Sequence, residues 1–478
     1  MAYNFLACDR EQDYLMPVSL SEWLPVDHLA YFVCDAVDQM DLSAFRADYR
    51  ANGQGAAAHD PAMMVALLVY AYCVGMRSSR MIERACEHDV AFRVITANRV
   101  PDHTTIARFR ARHEFALKGL FTESLKLCRE AGLGKLGLVA LDGTKMGCPA
   151  ALAANRTAEQ IDAELAALDA QLGLVVEDMF TEAASTDAAE DAALGVEVRG
   201  DETPAALRGK NARRARLSAA KAKLAEAEAA RRAEHGAHLA ERAAKEAETG
   251  KKLRGRKPKA PESEPEAKAN TSDPQSRILK GIHGFVQGHN AQAVVAEDQV
   301  VVAAEVVEDA NDVDQLHPMV AAAQANVAAA GFAEPIGTVV ADAGYASERN
   351  FADIDPAGPQ LLVALGKEHA SRAAARDNPT PDGPPPQGLS ARERMDWLLR
   401  SPDGRAAYAK RKHTVEPVFG QHKENRGFHR FCRRGNAAAD SEWKLINATH
   451  NLLKIYRRNR RQFLGSRPGD PVSQPVLA

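Results

Sequence analysis

Three acidic residues stand where a folded chain could bring them together. Asp142 closes the apolar run Leu138-Val-Ala-Leu141, and Asp342 closes Ile336-Gly-Thr-Val-Val-Ala341. Each run reads as a short buried strand followed by a glycine turn, and an α/β sheet presents its site at the ends of such strands. The third acid is Glu416, within Tyr408-Ala-Lys-Arg-Lys-His-Thr-Val-Glu-Pro-Val-Phe-Gly-Gln-His-Lys423. Thr414 is expected to cap a helix there, with Glu416 in its first turn and Lys423 two turns on along the same face. Two aspartates and a glutamate supply hard oxygen ligands for two divalent ions, Mg²⁺ or Mn²⁺. Such ions activate a water or a 3′-hydroxyl and stabilise the leaving oxygen of a phosphodiester. A nearby lysine suits phosphate as a point charge.

The elements that must position these residues follow from the texture of the chain. Residues 1–130 are expected to form a helical domain. Asp60-Pro61 starts one helix as N-cap and first residue, a second covers Ser79 to Phe92, and a third begins at Thr104 or Thr105 and runs through Leu125. Strand patterning covers 137–156 and resumes over 271–462, where Gly284–Ala296 and Gln299–Val307 resemble a hairpin and Asp314–Ala330 a helix. Between them, 157–270 is rich in Ala, Glu, Lys and Arg and reads as a helical, partly disordered insertion. Its amphipathic run, Ile161, Leu165, Leu168 and Leu172, is a candidate subunit contact. Residues 463–478 read as a disordered tail. The fold class is therefore α/β, with a mixed sheet interrupted by a helical insertion and preceded by an all-α unit.

Composition sets the class of protein. With 478 residues, 45% hydrophobic and 26% charged, the chain can bury a large core, and no apolar run approaches the length of a membrane helix. The N-terminus lacks a signal peptide's basic start and apolar centre, so a cytoplasmic protein is expected. Seven scattered cysteines without a C-x-x-C pair indicate neither disulfides nor structural zinc. The formal net charge of −3 hides segregation, since Arg405 to Arg461 is strongly basic and can engage a polyanion locally.

The segments Leu-Asp142-Gly-Thr-Lys, Gln287-Gly-His-Asn-Ala-Gln, Val-Val-Ala-Asp342-Ala-Gly-Tyr and Tyr408 through Glu416 to Lys423 resemble the motif blocks of bacterial insertion-sequence transposases of the DDE class. The subgroup with an InsH-like helical N-terminus, loosely families five and eleven-eighty-two, is most similar. That family's third-acid signature places Tyr, Arg, Glu and Lys in order. Here Tyr408 to Arg411 and Glu416 to Lys423 keep its intervals, but four residues rather than three separate Arg411 from Glu416, leaving Lys412 in the register counted back from the glutamate. The resemblance implies a ribonuclease-H-like catalytic domain, with Asp142, Asp342 and Glu416 as catalytic residues and metal ligands. It also implies cleavage and joining of double-stranded DNA at the element's terminal inverted repeats, by a homodimer on DNA, with no nucleotide cofactor and no membrane. The alternatives are a catalytically silent DNA-binding regulator derived from a transposase, and a metal-dependent nuclease without strand transfer.

Further residues are candidates for DNA contact. Tyr408, Arg411, Lys412 and Lys423 surround the third acid. Arg108 and Arg112 share a helix face, with Arg110 elsewhere, and read either as phosphate contacts or as a solvated surface. Arg254-Gly-Arg256 resembles an AT-hook, or is a solvated linker. His289, Asn290 and Gln292 either face solvent or line a DNA groove, whereas Asp314 reads as structural. His283 and His317 have no partners at metal-ligand spacing. In the C-terminal segment the aromatics are expected to pack a closing helix and the arginines, Arg430, Arg433, Arg434, Arg457 and Arg458, to meet DNA phosphates.

Overall fold

The computed structural model describes residues 19–49, 58–171, 210–252, 267–281, 284–366, 373 and 376–465. Arg254, Arg256, Leu172, His283 and the segment 466–478 lie outside them.

The first described part is helical up to Glu130. Asp60 caps the Pro61–Cys73 helix by accepting from the Ala62 N–H at 2.8 Å, as its sequence predicts. Every residue from Met64 to Cys73 is buried, so this helix is the centre of its layer, wrapped by Leu29–Asp38 and by the last helix of the chain. The helix expected over Ser79–Phe92 is two, Ser79–His88 and Val90–Ile95. Asp89 is extended between them, and its carboxylate caps the second by accepting from Ala91 and Phe92. The third helix is also divided, at His113, into His103–Arg112 and Glu114–Glu130. Its cap is Asp102 rather than a threonine: one carboxylate accepts from the Thr105 N–H and from both threonine hydroxyls.

The sheet is mixed and six-stranded. Its path runs β4 (Arg277–Gly281), β5 (Gly284–Ala296), β1 (Leu138–Gly147), β7 (Thr338–Ala341) and β8 (Gln360–Val363), with β6 (Val301–Val307) also on β5. β1 pairs with β5 antiparallel and with β7 parallel. The parallel pairing stops at Leu141↔Ala341, but β1 does not stop with it. It continues through Gly143 to Gly147 because β5 is long enough to pair with all of it. Asp142 therefore lies within a strand, not at its tip, at the point where β7 departs. β5 and β6 form the expected antiparallel hairpin, although Gln299 sits in the turn with φ +67° and β6 begins only at Val301. Asp314 falls in a single 3₁₀ turn, and the helix that follows is Leu316–Ala329.

The excursion between the first strand and the hairpin leaves and returns at one place, where β2 (Asn155–Arg156) pairs with β3 (Ala269–Asn270). Its helices, Ala158–Gln171 and Lys210–Thr249, share a small core of Ile161, Leu217, Ala220 and Leu224. The face carrying Ile161, Leu165 and Leu168 is thus covered within the chain, which removes the reason for assigning it to a subunit contact.

The Asn436–Gly465 helix closes the structure, lying on both the Glu114–Glu130 helix and β6. Phe428, Phe431 and Trp443 are buried as expected. Three of the arginines expected to meet DNA are committed internally: Arg433 pairs with Glu114 at 2.7 Å, and Arg430 and Arg434 donate to the carbonyls of Cys148 and Pro149. These side chains turn toward the helix at Glu114 and the segment just after β1, and burial there requires partners.

This helix also buries His450. One ring nitrogen meets the Gln299 carbonyl at 2.9 Å and the other the Gln421 side-chain amide at 2.6 Å. Burial, reinforced by the Arg426 charge, pushes its pKa down to about 3 from 6.5. The native ring stays neutral while the unfolded one takes a proton, so its contribution to stability is complete above about pH 6.5 and is lost as pH falls toward 3. The expected slope is about 1.4 kcal/mol per pH unit below pH 6.5. Urea unfolding of His450→Asn between pH 7 and 5 should show a slope shallower than wild type by about that amount, and an identical slope would contradict the assignment.

Candidate active site

The parallel pairing of β1 with β7 ends at Leu141 and Ala341, so the next residue on each chain, Asp142 and Asp342, emerges side by side. Each aspartate is oriented by a backbone N–H: Gly143 donates to Asp142 Oδ1 and Gly344 to Asp342 Oδ1, both at 2.8 Å. Asp142 is largely buried, and burial raises its pKa to about 6, against the opposing pull of Arg411 and with the added repulsion of Asp342. Two carboxylates this close disfavour double ionisation unless a cation joins them.

Arg411 supplies a positive charge. It is the first residue of the Arg411–Gly420 helix, is nearly buried, and donates from Nη1 to Asp142 Oδ2 at 2.9 Å. Its Nη2 lies 3.9 Å from Oε1 of Glu416, whose side chain is 53% exposed. One guanidinium therefore spans the first and third acids. Glu416 is not in the first turn of its helix, because the helix starts at Arg411 with Lys410 before it. Thr414 is inside the helix and donates its hydroxyl to the Lys410 carbonyl. Of the two basic residues at that register, Arg411 meets the acids and Lys412 is half-exposed. Tyr408, half-buried on the Pro402–Ala409 helix, packs on the core near Arg411, whose pKa is raised against the opposing effect of burial by Asp142 and, after it, Tyr408.

Lys423 is not two α-turns beyond Glu416, because Gln421–Asn425 winds as a π-helix. Its ammonium donates to the Lys145 carbonyl at 3.1 Å, further along β1 from Asp142, and burial lowers its pKa.

A fourth acid was not singled out from sequence. Asp312, at the start of the turn before Leu316, accepts at Oδ1 from Asn290 Nδ2 and Gln292 Nε2, both at 2.7 Å, with Lys145 Nζ 3.6 Å away. Gln292 in turn accepts from the Tyr345 hydroxyl. Asn290 and Gln292 do not face solvent: both are buried, on the face of β5 toward Asp312. His289, on the opposite face, is buried against Asp273 at 3.2 Å. Cys148 joins them, the ligand atoms of all three lying within 4.8 Å of one another. The sequence signal for Asp312 was the amide pair itself. Two amides two residues apart in an otherwise apolar strand need a buried partner. Gly143 is required where the acids meet, since a Cβ there would lie 2.7 Å from Asp312 Oδ1 and 3.2 Å from Asn290 Oδ1.

In the helical part, the three arginines of His103–Arg112 separate by role. Arg108 is exposed. Arg112 is stacked 4.8 Å over the Tyr49 ring and paired with Asp48. Arg110 is buried and donates to Ser79 Oγ at 2.6 Å and Tyr72 Oη at 3.3 Å. Arg110→Ala is expected to cost about 2 kcal/mol or more in urea unfolding. Arg108→Ala should leave unfolding within about 0.5 kcal/mol of wild type and, if the residue meets a phosphate, should reduce the salt slope of DNA binding by about one. Equal stabilities for the two variants would refute the distinction.

Among the described residues no helix is long and apolar enough to cross a membrane. A family model described as a transposase domain (DUF772) matches residues 18–112, which include Arg108 and Arg112. A second, described as a transposase DDE domain, matches residues 386–456, which include Tyr408, Arg411, Lys412, Glu416 and Lys423. No curated protein and no solved structure matches the chain. A transposase domain matched toward one end and a transposase DDE domain toward the other together support an insertion-sequence transposase of the DDE class.

Proposed function

We propose that this chain cuts and joins double-stranded DNA at the terminal inverted repeats of a mobile element, with Asp142, Asp342 and Glu416 as its metal-binding acids. The observation that carries the reading is the meeting of Asp142 and Asp342 beside a guanidinium that also reaches Glu416. The donor set fits Mg²⁺ or Mn²⁺, being made of carboxylate oxygens, and Arg411 already demonstrates that the acids attract positive charge. Two ions bound there would supply an activated water or 3′-hydroxyl and charge stabilisation at the leaving oxygen. The protein's own part is to hold the acids on two paired strands and one helix, so that little reorganisation is needed when the phosphodiester arrives. Arg411 must release Asp142 or share it, and then lies where it can meet a phosphate oxygen. Lys412 and Lys423 extend that positive edge.

A central strand with antiparallel neighbours on one side and parallel ones on the other supports the ribonuclease-H-like reading of 137–156 and 271–462. The helices within 1–130 would then carry DNA recognition through Arg108 and Arg112, and 157–270 would be the insertion. A homodimer holding both element ends belongs to the same proposal, because two ends have to be processed together.

The test is Mg²⁺-dependent cleavage of a duplex carrying the element's ends and flanking DNA, followed by joining to a second duplex. Cleavage with joining is the expected result. Cleavage alone would mean a nuclease, and binding without cleavage would mean a silent regulator.

A further inference from the structure

We propose that Asp312 is a fourth metal-binding acid of this site, and that with Asp342 and the side-chain oxygen of Asn290 it forms the second cation position. The inference rests on the proposed reading of the site and adds to it a residue outside the three-acid set.

Asp312 stands at the start of a helical turn, where an aspartate ordinarily accepts from a backbone N–H, as Asp60, Asp89 and Asp102 do in this chain. It makes no such bond. Its carboxylate is instead held by the two amides from β5, which occupy Oδ1 alone. Oδ2 receives no hydrogen bond from the described residues and turns toward Gly344. A Cβ on Gly344 would lie 3.5 Å from that oxygen and 3.0 Å from Asp342 Oδ1, so both oxygens flank one small space kept open by a glycine.

Asn290 is the second, independent observation. Its amide nitrogen is committed to Asp312, which fixes the orientation of the group and leaves Oδ1 buried without a partner. That oxygen lies on the Asp312 side of Gly143: a Cβ there would collide with Gln292 Nε2 and lie 2.7 Å from Asp312 Oδ1 and 3.2 Å from Asn290 Oδ1. A buried carbonyl-type oxygen without a donor costs stability unless something occupies the position. A hard cation accepts amide and carboxylate oxygens together. The supporting scaffold is rigid: Tyr345 and Gln292 are both buried and bonded to each other. Lys145, the nearest ammonium, is tied to the Ala310 carbonyl at 3.0 Å and sits at the edge of the cluster. Three acids must otherwise balance two divalent ions, whereas a fourth brings the ligand charge level with the cations.

The test is Mn²⁺ binding to the full chain by electron paramagnetic resonance, with melting temperature measured in parallel, on wild type, Asp312→Asn, Asp312→Glu and Asp142→Asn. Asparagine keeps an acceptor for the two amides and removes the charge. Asp312→Asn is expected to weaken one of two Mn²⁺ equivalents by at least about tenfold without lowering the melting temperature, and Asp312→Glu to retain part of that affinity. Wild-type binding in Asp312→Asn, alongside loss in Asp142→Asn, would overturn this inference and leave the proposed reaction standing. Equal loss in both Asp312 variants with a lowered melting temperature would mark the residue as structural and overturn it as well. A wild-type chain that binds no Mn²⁺ would remove both.

Discussion

Asp142→Asn, Asp342→Asn and Glu416→Gln are each expected to abolish Mg²⁺-dependent cleavage of end-bearing DNA while leaving DNA binding in place. The loss should reach about 10³-fold or more, because ions contribute several kcal/mol of transition-state charge stabilisation and each 1.4 kcal/mol is a factor of ten. The three variants should differ in stability even where they agree in activity. Asp142 is largely buried and its ionised form is disfavoured in the fold even with Arg411 beside it, so its neutral isostere removes that penalty and stability should rise rather than fall. Glu416 is more than half exposed, and its replacement should leave unfolding unchanged. Cleavage assays and urea unfolding on the same preparations check both halves. A variant that cuts at the wild-type rate would strike its residue from the site, and cutting by all three would dismiss the reading.

Trp443→Ala is expected to produce the largest loss of stability of any single substitution discussed. The indole is fully buried in the last helix and lies against His422, Phe419 and Phe431, with ring centroids at 5.4, 6.3 and 6.5 Å. Its Nε1 donates to the Gln292 carbonyl at 2.8 Å. Truncation to alanine costs about 3–5 kcal/mol through lost burial and the cavity left behind. Trp443→Phe keeps most of the volume but strands a buried carbonyl, for about 1–3 kcal/mol. Urea unfolding should rank wild type, Trp443→Phe and Trp443→Ala in that order; a loss below about 1 kcal/mol in the alanine variant would mean that the core collapses around the gap. Because Gln292 also holds Asp312, the alanine variant should lose Mn²⁺ affinity at the same time.

Local patterns announced much of this architecture. Asp60-Pro61 and the paired strand runs Gly284–Ala296 and Gln299–Val307 are signals whose physics is complete within a few residues; the helix starts where expected, and the hairpin forms with its second strand beginning at Val301. Apolar runs ending in Asp142 and Asp342 were equally legible. The length of β1 was not, since it depends on how far β5 extends to pair with it. Helix breaks at Asp89 and His113 were hidden because a cap inside an apolar pattern interrupts it for one residue only. Basic residues near the C-terminus were misread for a different reason. Charge in a sequence says nothing about where a long side chain ends, and Arg430, Arg433 and Arg434 end on internal acceptors. Asp312 escaped notice because its importance lies in amides some twenty residues earlier, which only the sheet brings alongside.

The closing helix has a kinetic consequence. Its Ser441 hydroxyl bonds the Glu114 carbonyl across 327 residues of sequence, and Arg433 just before it reaches Glu114 across 319. The first helices made therefore cannot complete their core until the last one has been synthesised, and during translation their apolar faces wait for a partner from the far end of the chain. Pairings of such long range carry a large closure entropy and slow the final step of folding. The nascent chain would thus acquire its assembled site only at the end of synthesis.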